Sequence, residues 1–333
     1  MTAIFGALVL APDTMLLRLT RFESSSEWLT SWGIVFYRAW GRLIFLPLLY
    51  VLVHGKSGAY VDAVRALGAR RLWLGAALYM VQNVAFIVAA SMTYIASVLS
   101  IVATGPLCSA LFSSYFLRDE RVPTHTWLAS FACVGWVLLI FADALESGGE
   151  TRHVVGTSVA LLVPIGTGAF WTFCKANPDA DMVPALSTSG ILGQTLALVV
   201  MFSSSRRDGD EGGLAAPLVP VSDDGGVAVT ALVFQCLLVA AAFMFLTIGA
   251  KDVPSAEVSL YLLMELPVAT LLVWWATGET PPWQVFVGAA GLLCTMGLES
   301  WTGIVSSRRG DEDDTEPDEA VGLEDVGPSV ADG

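Results

Sequence analysis

Charge is what this sequence has least of. Of its 333 residues only 14% are Asp, Glu, Lys or Arg. A soluble domain carries about a quarter, so the shortage argues against a soluble enzyme. Metal-binding patterns are missing as well. The five cysteines (Cys108, Cys133, Cys174, Cys236 and Cys294) stand singly in apolar runs, with no CxxC pair and no His at ligand spacing. They read as small apolar packing residues, and no metal site is expected. The three histidines, His54, His125 and His153, fall in polar connections. Asparagine occurs twice, and neither Asn83 nor Asn177 begins an N-x-[ST] glycosylation acceptor. There is no GxGxxG or GxxxxGK[ST] phosphate cradle and no nucleophile–base cluster, so no enzyme, no cofactor and no ATP-driven pump is expected. No Lys or Arg precedes the opening MTAIFGALVL and no A-x-A cleavage pattern closes it, so this run reads as a retained span rather than a signal peptide.

Long apolar sequence is what the chain has in abundance. Ten runs bounded by charge clusters or Gly/Pro turns lie at 3–20, 29–53, 71–92, 95–117, 126–145, 156–177, 182–202, 227–250, 255–278 and 283–304. A helix needs about 20 such residues to cross the hydrocarbon. Lipid offers the backbone no hydrogen-bonding partner, and these continuous runs lack the alternation of barrel strands, so each must satisfy its backbone as a helix. The expected fold is all-α: a multi-pass membrane protein of about ten transmembrane helices. Pro12 and Asp13 interrupt the first run. With the N-terminus taken as cytoplasmic, the loops on that side hold ten Lys or Arg against five opposite, which favours both termini in the cytoplasm. Which membrane hosts the chain is left open.

The net charge of −14 is localised. Residues 310–333 hold ten acids and no Lys or Arg, residues 203–226 contribute −3, and the rest of the chain is nearly neutral at −1. Both segments lack apolar periodicity, so 203–226 is expected to be a disordered loop and 305–333 a disordered acidic tail. Within 54–70, VDAVRALGA is expected to form a short interfacial helix. Nothing in this charge distribution favours nucleic acid as a partner.

Two stretches correspond. In the first half MTYIASVLSIVATGPLCSALFSSYFLRDERVPTHTW has a small-residue start, Pro106 in mid-run, Glu120, Pro123 and then Trp127. In the second, AKDVPSAEVSLYLLMELPVATLLVWWATGETPPWQV repeats that order with Ala256, Pro267, Glu279, Pro281-Pro282 and Trp283. Each half holds five runs. An odd number turns the second copy upside down, so 1–145 and 156–304 are expected to be two inverted five-helix repeats.

FYRAWGRLIF, GPLCSALFSSYFLRDERVP and MELPVATLLVWWATGETPP carry a resemblance over about 29–304 to the drug/metabolite transporter superfamily, specifically to EamA-like carriers. Two spacings depart from the family pattern: Pro106 to Glu120 is 14 residues where Pro267 to Glu279 is 12, and Leu266 separates Glu265 from Pro267. The resemblance implies ten spans, carrier activity and no enzymatic cofactor, and it names no substrate.

Charge inside a span is costly, about 2.5–3.5 kcal/mol per group on insertion scales, and so marks candidate function. Arg38 and Arg42, one helical turn apart, suit a carboxylate or phosphate on a substrate. Arg38 is the one expected to attract a substrate's negative group; the bland alternative is that Arg42, or both, pair with buried acids or snorkel to the edge. Glu265 is a candidate for proton coupling or substrate contact, or else a structural partner of Arg38 or Arg42. Pro267 beside it and Pro106 in the other half are candidate gating positions. Asp13 and Glu299 read as structural or interfacial more than substrate-contacting. Asn83 and Gln235, with Gln82 and Gln194, serve helix–helix hydrogen bonding or a cavity. Tyr261, Tyr79, Tyr94 and Trp171 are stacking candidates.

The leading expectation is a secondary transporter moving a small polar metabolite by alternating access. Its partners would be the lipid bilayer, the substrate, protons as a coupling ion, and a second copy of the chain as a homodimer. Two alternatives stand beside it: an exchanger of nucleotide sugars or sugar phosphates, and a non-transporting sensor or scaffold acting through the acidic tail.

Overall fold

The computed structural model describes residues 2–13, 16, 27–92, 95–117, 123–140, 151–208, 225–251, 253–265, 268, 283–284, 286–295, 297–298 and 301. Among these residues every regular element is an α-helix. In chain order they are α1 (Thr2–Leu10), α2 (Glu27–His54), α3 (Ala59–Leu67), α4 (Ala69–Met92), α5 (Ile95–Val102), α6 (Gly105–Phe116) and α7 (Thr124–Ile140). There follow α8 (Thr151–Ala160), α9 (Leu162–Lys175), α10 (Val183–Asp208), α11 (Gly225–Gly249), α12 (Ser255–Leu262) and α13 (Phe286–Thr295).

Five segments are long and apolar enough to cross a membrane: Ser31–His54, Ala69–Met92, Val154–Lys175, Val183–Ser204 and Val229–Gly249. They are consistent with an integral membrane protein, and each coincides with an apolar run of the sequence. The other runs differ in detail. In the first, α1 ends at Leu10, because Pro12 cannot extend the ladder and the chain turns at Ala11, and Asp13 and Leu16 are helical again. The run 95–117 is two helices rather than one with a proline in its middle. Pro106 has no N–H and its ring crowds the carbonyl four residues back, so α5 ends at Val102 and α6 restarts at Gly105. Pro164 acts likewise on Ala160, leaving a one-residue interruption at Leu161 between α8 and α9. The loop expected at 203–226 is shorter: α10 continues to Asp208 and α11 begins at Gly225. The short helix expected in 54–70 is present as α3, bounded by Gly55 and Gly68, both at positive φ.

Small residues set the packing. α1 lies on α11, and α9 lies on α4. α2 packs on α10 and α11, α10 packs also on α4, and α6 packs on α9 and α12. A Cβ on Gly6 would stand 2.8 Å from the Ala242 carbonyl, and one on Gly166 would stand 2.9 Å from the Gln82 Cβ. Gly190 meets the Ala39 carbonyl in the same way. Without a hydrophobic effect between lipid-solvated helices, such close backbone approach supplies much of the association energy. α6 and α12 cross antiparallel, with Ser109 Oγ 2.5 Å from Ser259 Oγ and Ser113 Oγ 2.8 Å from Ser255 Oγ. α7 and α13 are joined by Trp136 Nε1, which donates to Thr295 Oγ1 at 3.1 Å over Gly291. Cys133, Cys174 and Cys236 are buried, as packing residues would be, whereas Cys294 is exposed on its apolar helix.

Candidate functional site

A buried polar cluster forms where α2, α4, α10 and α11 meet the end of α1. Asp13 lies just past the α1 break, and its carboxylate accepts from Arg38 Nη2 at 2.6 Å and from Gln235 Nε2 at 2.9 Å. The same carboxylate thereby ties the broken first helix to α2 and α11. Both ion-pair partners are buried. The structure therefore assigns Arg38 an acid, and the acid is Asp13. Glu265, the alternative partner weighed from sequence, is half-buried after α12.

Arg42, one turn further along α2, is only 1% exposed. It is the twelfth residue of the 24-residue span Ser31–His54, so it sits at mid-depth. Its Nη1 donates to Asn83 Oδ1 at 3.1 Å, and its Cζ lies 5.5 Å from the centroid of the Tyr79 ring. Its Nη2 lies 3.7 Å from where a Cβ on Gly193 would stand. Tyr79 and Gly193 are each the eleventh residue of their own spans, so three helices bring their midpoints to one guanidinium. No carboxylate among the described residues is within ion-pair distance of Arg42. Several buried polar atoms around it have no protein partner: Arg42 Nε, Arg38 Nε and Nη1, the Tyr79 hydroxyl and Gln235 Oε1. A neutral amide and a ring face offset part of the desolvation cost of this guanidinium, a counter-charge would offset far more, and none of the described residues supplies one.

The cluster lies between two closures of the antiparallel pair α2 and α10. On one side Trp32, Val35, Ile87, Val88, Ala197 and Met201 form an apolar plug. On the other the join is polar. Tyr50 donates to Asp181 Oδ2 at 2.8 Å, His54 stacks on Tyr50 at 4.0 Å, and Tyr60 of α3 hydrogen-bonds Ser187. Asp181 Oδ1 also accepts the Val183 N–H at 3.1 Å, capping the start of α10. On α3, outside the spans, burial pushes the Tyr60 hydroxyl above its ordinary range, opposed by its contact with Ser187. Sequence reading missed this polar join. Its trace was an Asp three residues before Pro184, a helix-start signature whose capping oxygen is used here while the second oxygen reaches α2. Gly193 was missed too, because a glycine in a run of small residues announces no ligand.

The remaining candidates are dispersed. Tyr261 is buried, and its hydroxyl donates to Glu257 Oε2 at 3.4 Å. Trp171 is buried against Phe170, which together with Phe243 rings Tyr79. Pro106 begins α6. Pro267, Glu299 and Tyr94 lie outside the described residues.

No family model matches the chain, and no curated protein matches it. Among solved structures, one described only as a crystal structure of a protein superposes with a TM-score of 0.68 at 14% identity. The alignment covers 90% of this chain and 96% of that one. At such identity the likeness shows the fold alone: the helical arrangement extends over almost the whole of both chains.

Proposed function

We propose that this chain is a ten-span secondary carrier of a small polar metabolite, related to the EamA-like drug/metabolite transporters and built from two inverted five-helix repeats. One observation carries the reading: at mid-depth between two closures stands a buried guanidinium, Arg42, that the protein holds with neutral groups. A structural arginine buried this deeply is normally matched by an acid, as Arg38 is by Asp13. Arg42 instead offers its charge to a ligand, and a negatively charged group entering from either side would complete it.

The packing supports the repeat. When α1 is exchanged with α8–α9, α2 with α10, α4 with α11 and α5–α6 with α12, the packing pairs map onto one another: α1 on α11 becomes α9 on α4, and α2 on α11 becomes α10 on α4. The glycine contacts obey the same exchange, since Gly166 and Ala242 follow Gly6 and Gln82 by 160 residues each. A site between inverted halves is reached alternately as one half rocks on the other. The apolar plug at Trp32 and the polar join at Tyr50 would be the two gates, opening in turn. Arg38 and Asp13 then hold α1 in place beside the site rather than taking the substrate themselves.

The test is reconstitution in liposomes with a panel of anionic, zwitterionic and neutral metabolites under imposed pH and voltage gradients. Saturable uptake that Arg42→Gln lowers by at least tenfold is the expected result. Flux of no panel member would refute the carrier, and flux of an anion undiminished in Arg42→Gln would refute the site. Deleting 310–333 should leave transport near normal, whereas the sensor alternative requires its loss.

A further inference from the structure

Charge counting at this site narrows the ligand. Asp13, Arg38 and Arg42 are the buried charged residues among those described. Arg38 is neutralised at 2.6 Å by Asp13, so the trio carries one net positive charge, located on Arg42. The polar atoms left without partners are mostly donors: Arg42 Nε, Arg38 Nε and Nη1 and the Tyr79 hydroxyl, against one acceptor, Gln235 Oε1. We propose that the site takes a single negative charge in the form of an organic monocarboxylate, and that it rejects phosphate monoester dianions and dicarboxylates. The inference rests on the carrier reading for its site and goes beyond it in naming the ligand's charge and head group.

A carboxylate presents two acceptor oxygens in one plane, the geometry a guanidinium fork accepts, and its one charge cancels that of Arg42. The Tyr79 hydroxyl, on the residue whose ring lies under Arg42, offers a further donor. A dianion would leave one negative charge uncompensated in a water-poor interior. Arg38, already paired with Asp13, has no positive charge left to give, and the Asp13 carboxylate would repel it. An exchanger of sugar phosphates would need a second unpaired cation here, and Arg38 is committed elsewhere.

The experiment uses the full chain, by ligand-induced thermal shift in detergent and by counterflow in liposomes, with butyrate, succinate and glycerol phosphate at pH 7.5 and 5.5. Butyrate is expected to bind at least tenfold tighter than either dianion at pH 7.5. Glycerol phosphate, whose second ionisation lies near pH 6, becomes mostly a monoanion at pH 5.5, so its apparent affinity should rise about twentyfold on acidification. Asp13→Asn raises the net charge by one and should shift preference at least tenfold toward the dianions. If that variant does not fold, the pH series on the unaltered chain decides. Dianions binding as tightly as butyrate at pH 7.5 would overturn the inference and leave the carrier standing. Binding that obeys the charge rule without counterflow would uphold the inference and refute the carrier. Binding of no anion at either pH would overturn both.

Discussion

Removing Asp13 should cost this protein more than removing Arg38, and the difference measures how α1 is held. In Asp13→Ala the Arg38 guanidinium stays in the interior with Nη2 newly unpaired beside Nε and Nη1, which already have no protein partner. Breaking one side of a buried ion pair costs about 3–5 kcal/mol, because the surviving charge is stranded. Arg38→Met strands Asp13 instead, but Gln235 Nε2 still donates to its Oδ1, so a loss at the lower end of that range is expected. The double variant strands no charge, and Gln235 Nε2 keeps only its 3.4 Å contact to the backbone oxygen of residue 13. Replacing both charges with apolar groups of similar volume is often neutral, so it should lie within about 2 kcal/mol of the unaltered protein. The coupling between the sites is then at least about 3 kcal/mol, read from a double-mutant cycle. Reversible unfolding by SDS titration in mixed micelles, followed through the 11 tryptophans, gives the three free energies. A cost below about 1 kcal/mol for Asp13→Ala, or a double variant as unstable as the sum of the singles, would refute the buried-pair account.

Further expectations follow from the packing and from the closures. Gly166→Val places a Cβ 2.9 Å from the Gln82 Cβ and should lower stability by about 1–3 kcal/mol in the same titration, whereas Gly135→Ala, with nothing within 4 Å, should not lower it. Gly193→Leu brings side-chain atoms against Arg42 Nη2 and should abolish anion-dependent thermal shift while leaving the unliganded melting temperature within a few degrees. Tyr50→Phe removes the hydrogen bond to Asp181, worth about 1 kcal/mol, and should increase thiol labelling of a cysteine introduced at Ser187 about fivefold; unchanged labelling would remove Tyr50 from the closure. Among the native thiols, a lipophilic maleimide should modify Cys294 first and spare Cys133 and Cys174, as mass spectrometry of the peptides would read.

How much of this was legible in the sequence depended on whether the signal was composition or geometry. Helices at 69–92, 183–204 and 229–249 were written in uninterrupted apolar runs, because lipid leaves the backbone no alternative. Helix breaks were legible in principle, since Pro106 and Pro164 stand four residues after Val102 and Ala160, where the ladders end. That Arg38 and Arg42 share a face followed from spacing alone. Their different fates did not. The partner of Arg38 is 25 residues away across a helix break, and the neutral cradle of Arg42 comes from Asn83, Tyr79 and Gly193 on two other helices. Such matches are fixed by how helices rotate against one another, which no local pattern encodes. Asp181 is the intermediate case: its capping role is local and readable, and its bond to Tyr50 is not.

The glycine contacts carry a mechanical consequence. Where Gly6 meets Ala242, Gly190 meets Ala39 and Gly166 meets Gln82, at least one helix presents bare backbone, so no interlocked side chains need to change rotamer for the pair to slide. Interfaces of that kind behave as bearings: smooth, close and cheap to shear over the ångström or two that a helix shift requires. The serine pairs between α6 and α12 and the Trp136–Thr295 bond behave as pins, because they fix register and must break before their helices can slip. The bearings join α1 to α11, α2 to α10 and α4 to α9; the pins join α6 to α12 and α7 to α13, and the Tyr50–Asp181 and Arg42–Asn83 bonds pin α2 to the start of α10 and to α4. Motion in this protein should therefore be cheapest at the glycine contacts once the Tyr50–Asp181 and Arg42–Asn83 bonds release, while the α6–α12 and α7–α13 pairs keep their register.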